Sequence, residues 1–167
     1  MMLTANGHPV DTSPERFGQL TPANGLLGDP VALRRALAEH GHLFFRGLLP
    51  TETVLAARHE VLTKYAIVGE VDDRHPIDHA IAGDRVGLPQ ANIRAFSESV
   101  RNGYWYRSVT DHPDLLAVHE GLLDGEVRSF DFRWPRFVRP GEGCGFHCDG
   151  PYMNRGTSHI ISSWIPL

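Results

Sequence analysis

The sequence predicts a mainly β domain entered through a layer of N-terminal helices, and three observations carry that expectation. In the strand expected at 126–138 the residues before Pro135 alternate, with Phe130, Phe132 and Trp134 on one side and Ser129, Asp131 and Arg133 on the other, and Pro135 marks an edge or a bulge beyond which the parity is open. A period of two is the mark of a strand with one buried face. Arg139-Pro140-Gly141-Glu142 then puts Pro and Gly at the central positions of a type II turn, which predicts a hairpin. The last run, residues 159–167, is apolar on both faces and rich in β-branched side chains, as a buried strand is.

A chain of 167 residues is long enough for one domain with its own core, so residues 1–167 are expected to form a single unit. Its parts are an irregular lead-in (1–28), a helical layer with a long loop (29–125) and the β segment (126–167). The balance of 41% hydrophobic and 22% charged residues is that of a globular protein, and a formal net charge of −4 offers no basic stripe for nucleic acid. No apolar run reaches the length that spans a bilayer. The polar start, Met1 to Ser13, lacks the basic and apolar regions of a secretory signal. Cys144 and Cys148 flank His147 too closely for a disulfide within a strand, and read as reduced thiols of a cytoplasmic protein.

Along the lead-in, Pro9, Pro14, Pro22 and several Gly and Asn residues punctuate loops. Asp29-Pro30 opens a helix, Asp as N-cap and Pro at the first helical position, with Leu33 and Leu37 on one face and Gly41 as the stop. A short strand is expected at 42–46 and a second helix at about 50–65. Periodicity fails from 67 to 92, where Pro76, Pro89 and three glycines predict a long loop. His75, Asp78 and His79 in that loop read as solvated side chains, and His40, His42 and His59 as helix-end or surface histidines. Tyr104-Trp105-Tyr106 fits either core packing or a pocket lining. Asp111-His112-Pro113 opens a further helix that Gly125 stops.

The chemistry concentrates in Gly143-Cys144-Gly145-Phe146-His147-Cys148-Asp149-Gly150. In a strand, His147 and Asp149 project from one face. They would supply two neighbouring ligands of a 2-His-1-carboxylate site for Fe(II). By itself His-x-Asp equally describes a surface turn at Asp149-Gly150-Pro151. There is no Gly-x-Ser-x-Gly elbow, no phosphate loop and no dinucleotide fingerprint.

Arg139-Pro140-Gly141-Glu142-Gly143, Phe146-His147-Cys148-Asp149, Tyr152 and Ser163-Trp164-Ile165-Pro166-Leu167 together resemble the phytanoyl-CoA dioxygenase-like oxygenases. His40-Gly41-His42-Leu43-Phe44-Phe45-Arg46-Gly47-Leu48-Leu49-Pro50 resembles that family's entry strand, so the likeness covers roughly residues 28–167. It implies a double-stranded β-helix of the jelly-roll, cupin-like kind. It also implies Fe(II) on His147 and Asp149, 2-oxoglutarate as co-substrate, O2, and hydroxylation of a small organic substrate. Related halogenases replace the carboxylate, and the presence of Asp149 favours hydroxylation. By the same likeness Trp164 packs beside 2-oxoglutarate and Tyr152 offers its hydroxyl to it. The residue-level alternative for Trp164 is a core tryptophan.

The likeness further implies a distal histidine ligand and an arginine for the far carboxylate of 2-oxoglutarate. Residues 150–167 offer neither, and His159 follows Asp149 too soon. The sequence is therefore expected to carry part of the barrel and to be inactive by itself. The competing class is a non-catalytic jelly-roll domain with a vestigial His-x-Asp. Oligomeric state is not legible.

Overall fold

Asp29 starts the first helix as the sequence requires: its carboxylate accepts from the Ala32 N–H at 2.9 Å, and Pro30 follows in the first turn. This helix, α1 (Pro30–His40), ends on Gly41 at φ 72°, a left-handed turn where glycine carries no steric penalty. The computed structural model describes residues 3–5, 7–84, 90–131, 133–139, 147–153 and 156–167. Two-residue strands β1 (Thr4–Ala5) and β2 (His8–Pro9) form a small antiparallel hairpin in the lead-in.

Four more helices build the layer: α2 (Thr51–Ile67), α3 (Gln90–Arg101), α4 (Tyr104–Thr110) and α5 (Pro113–Leu123). α5 opens where expected, with His112 Nδ1 accepting from the Asp114 N–H at 3.2 Å. It closes through Asp124 in the left-handed region and a bond from the Gly125 N–H to the Glu120 carbonyl. α2 packs along α4, α3 joins α4, and α1 lies against α5. Arg34 ties that last pair, donating to the Gly121 carbonyl at 2.6 Å and to Asp124. Val61, Val100 and Tyr106 form the buried centre, with Tyr65, Phe96 and Leu167 packed on it.

α3 and α4 are helices the sequence reading did not identify. Ile93, Phe96 and Val100 do fall at i, i+3, i+7, but the irregular run before them hid the period. Tyr104-Trp105-Tyr106 is the first turn of α4, with Tyr106 buried and Tyr104 exposed. Among its described residues, the expected loop from 67 to 92 carries the isolated antiparallel bridge Val71–Ala82 and a 3-10 turn, Ile77–His79. The strand expected at 42–46 is one parallel bridge between Pro22 and Phe44.

The larger correction concerns fold class. The described residues are mainly helical, and they contain no β-helix, jelly-roll or other sheet beyond the lead-in hairpin. The hairpin turn expected at 139–142 falls largely on residues 140–146, outside the described residues. Residues 133–139 and 157–167 form no ladder among the described residues. A strand exists only where its N–H and C=O groups find a neighbouring strand, and here side chains hold the segment instead. Arg133 bonds Asp111, Phe137 stacks on Tyr65 with centroids 4.7 Å apart, and Arg139 Nε donates to Glu70 at 2.9 Å. From Arg133 onward the side chains alternate, Arg133, Phe137 and Arg139 turning toward the helices while Trp134 and Val138 face outward; before it, Phe130 and Asp131 are both exposed. Period two marked a half-buried segment lying on helices, not a member of a sheet.

Candidate functional site

His147 and Asp149 lie outside any strand, just before α6 (Gly150–Met153). Their side chains nevertheless meet: His147 Nε2 is 3.4 Å from Asp149 Oδ1, both side chains about two-fifths exposed. The backbone explains why Asp149 is held. Its carbonyl accepts from the N–H groups of Tyr152 at 2.9 Å and Met153 at 3.0 Å, closing the turn of α6. Its second carboxylate oxygen, Oδ2, accepts from the Ser162 hydroxyl at 3.2 Å. An ionised carboxylate only accepts, so the serine proton points at Oδ2.

The next residue fastens the same segment to the helical layer. Ser163 Oγ and His119 Nε2 are 3.0 Å apart, and His119 Nδ1 lies 2.8 Å from the Leu115 carbonyl one turn back on α5. A carbonyl only accepts, which puts the ring proton on Nδ1 and makes Nε2 the acceptor of the Ser163 hydroxyl. Ser162 and Ser163 thus reach in different directions, one to the His-x-Asp pair and one to α5. Sequence reasoning missed Ser162, Ser163 and His119, because nothing local marks contacts across 13 and 44 positions.

Trp164 and Tyr152, which the family likeness sets beside 2-oxoglutarate, are 88% and 74% exposed. Trp164 is therefore not a core tryptophan in this structure. Tyr152 is tied to Asp149 through its backbone, and its ring faces outward. Cys148 is a free, exposed thiol; Cys144 lies outside the described residues. His75 Nε2 sits 3.9 Å from Asp72, while Asp78 pairs with His59 at 3.0 Å, so the loop histidines diverge. Among the described residues, no three His, Cys, Asp or Glu side chains converge to hold a metal ion.

Two charged knots support the scaffold. At the head of α4, Glu60 Oε1 accepts from the Tyr104 N–H at 3.1 Å and Oε2 from the Tyr106 N–H at 2.9 Å, and Lys64 joins at 3.2 Å. Partial burial acts to raise the Glu60 pKa, but donation from Tyr106 and Lys64 outweighs it and holds the carboxyl below its ordinary range. Asp111 is likewise held low: burial opposes the shift, and hydrogen bonds from Arg133, Ser129 and Arg107 prevail. Beside this second knot an open depression of about 640 Å³ is lined by Tyr104, Trp105, Arg107 and His112 among others.

No helix among the described residues is long and apolar enough to cross a membrane. No family model matches the chain. It is similar to the 1-deoxypentalenic acid 11-beta-hydroxylase of Streptomyces exfoliatus, 28% identical over 150 residues that cover 85% of this chain and 50% of the relative. The 1-deoxypentalenic acid 11-beta-hydroxylase of Streptomyces arenae is 25% identical over 165 residues, 92% of this chain and 54% of the relative. The chain thus spans about half the length of the curated relatives it matches. No solved structure matches it.

Proposed function

We propose that this chain belongs to an oxygenase that hydroxylates a small organic substrate and depends on Fe(II) and 2-oxoglutarate. The observation that carries the reading is the 3.4 Å between His147 Nε2 and Asp149 Oδ1. Side chains already in contact could serve one cation together. A neutral imidazole and a carboxylate are the donor set that suits non-haem Fe(II), so the residues fit the ion. His147 and Asp149 would hold it, and the third ligand comes from outside the described residues.

Iron with 2-oxoglutarate and O2 supplies the oxidising equivalent for hydroxylation when bound, and the protein supplies placement. Asp149 contributes a negative charge that offsets part of the metal charge and occupies a position that a halogenase leaves open. α6 fixes its backbone, while Ser162 engages the oxygen that does not face His147. Trp164 and Tyr152, by the family likeness, would lie along 2-oxoglutarate. Their exposure leaves both rings accessible to a ligand. That both relatives are named 1-deoxypentalenic acid 11-beta-hydroxylase supports the reaction class.

The second reading, a non-catalytic domain with a vestigial His-x-Asp, draws on the lack of a third converging ligand among the described residues. Metal binding separates the two. Co(II), which reports its ligands by visible absorption, is titrated into the full chain and into H147A and D149A. Binding that both substitutions abolish, together with a spectral change on adding 2-oxoglutarate, supports the oxygenase. Binding that survives both substitutions, or no binding, overturns it.

A further inference from the structure

We infer that Ser162 is a positioning residue for the metal-binding carboxylate. The inference rests on the oxygenase reading and adds a residue to it. Asp149 has two oxygens with different surroundings: Oδ1 faces His147 Nε2 at 3.4 Å, and Oδ2 accepts the Ser162 hydroxyl at 3.2 Å. A carboxylate free to rotate can offer either oxygen, or chelate an ion with both. With Oδ2 engaged, Oδ1 is the oxygen left beside the imidazole, and binding through one oxygen is favoured. Hydrogen bonds of this kind to a ligating carboxylate fix its orientation.

The serine is itself held from behind. Ser163 donates to His119 Nε2 on α5, whose tautomer is set by the Leu115 carbonyl. The chain before it is bonded too, His159 N–H to Thr157 Oγ1 at 3.0 Å and Ile160 N–H to the Ser158 carbonyl at 3.0 Å. The hydroxyl that reaches Asp149 thus sits on a fastened segment, which is what a positioning group needs.

The test is a Co(II) titration of the full chain by absorption, with S162A, S162T and Ser162→Val beside the wild type. Thr and Val share a shape and differ by the hydroxyl, so that pair isolates the bond even if S162A unfolds. The expected result is a Kd for Co(II) raised about tenfold in S162A and Ser162→Val, the low end of such effects because the bond is solvent-exposed. Their visible bands should weaken as the released carboxylate chelates and raises the coordination number. S162T should restore both. Equal Kd and spectrum for the Thr and Val variants would overturn the inference while leaving His147 and Asp149 as ligands. So would an equal loss in S163A, which cuts only the tether and would show that general loosening is the cause. If wild type and variants alike bind no Co(II), the oxygenase reading falls, and this inference with it.

Discussion

The helical layer, residues 30–123, and the segment that follows it, residues 126–167, are built on opposite terms. Among the described residues, the layer supplies the buried apolar core: Leu33, Ala57, Val61, Leu62, Val71, Val100, Tyr106, Val109, Leu115 and Val118. The later segment lies on that layer through spaced anchors, Arg133, Phe137, Arg139 and Leu167, and leaves Phe130, Trp134, Val138 and Trp164 about half or more exposed. The layer is stabilised by burial, and the segment by individual polar and aromatic contacts. The candidate site sits on the second kind of structure.

The sharpest way to break this contrast is to truncate one aromatic in each region. Tyr106 is 7% exposed in the central cluster, and its loss leaves a cavity against Val61 and Val100. Y106A should cost roughly 3–5 kcal/mol, the range for large aromatics removed from a core. W164A, at 88% exposure, should change stability by no more than about 0.5 kcal/mol. Urea unfolding of both variants checks this. A comparable loss for W164A would mean that the two regions are not different in kind.

The same contrast explains which parts were legible in the sequence. α1 and α5 announce themselves through local chemistry: Asp29-Pro30 and His112-Pro113 at their starts, and Gly41 at the end of α1, whereas α5 turns at Asp124, one residue before the expected Gly125. Caps act over three or four residues, so a sequence displays them whole. α4 was illegible because its cap is remote. Glu60 lies 44 positions before Tyr104, and a Cβ at Gly103 would come within 2.6 Å of the Glu60 carboxylate and displace it from the Tyr104 and Tyr106 N–H groups. In the later segment the pattern named two faces but not which one turns inward: the ion pairs to Asp111 and Glu70 bring Arg133 and Arg139 in and leave Trp134 outside. Those carboxylates lie 22 and 69 positions away. At the site, the spacing of His147 and Asp149 points to a strand, whereas their 3.4 Å contact is made in irregular chain just before α6. Ser162 was not legible, because its bond depends on where the chain returns.

A smaller effect probes the remote cap through acid. Glu60 is held below its ordinary value of 4.5, so its contribution is fully present above that pH and is lost as pH falls through the lower folded value. Asp111, held below 3.8, adds to the same acid limb at lower pH. E60Q keeps the shape but replaces charge-assisted bonds with neutral ones, which should cost about 1 kcal/mol at pH 7. As pH drops below about 4.5 the wild type loses this advantage and the variant does not, so the two stabilities should converge. Curves that stay parallel into acid would show that Glu60 titrates alike folded and unfolded, and that the cap of α4 lies elsewhere.

The smallest effect tests whether the later segment is truly held only at its anchors. Arg128 and Asp131 form an ion pair at 3.4 Å, with side chains 85% and 91% exposed. Only two positions beyond Asp131, Arg133 is 11% exposed and reaches Asp111 and Ser129. Water screens the first pair and both side chains give up rotamer freedom to meet, so it should contribute almost nothing. The second is shielded and shares its carboxylate with Arg107, which makes it the fixed point of this stretch. D131N should therefore shift stability by no more than about 0.3 kcal/mol, with no dependence on salt. Urea unfolding at low and high salt reads this directly. A loss near 1 kcal/mol that salt removes would show residues 128–131 to be fastened as firmly as Arg133, and the segment would then be a continuous second layer.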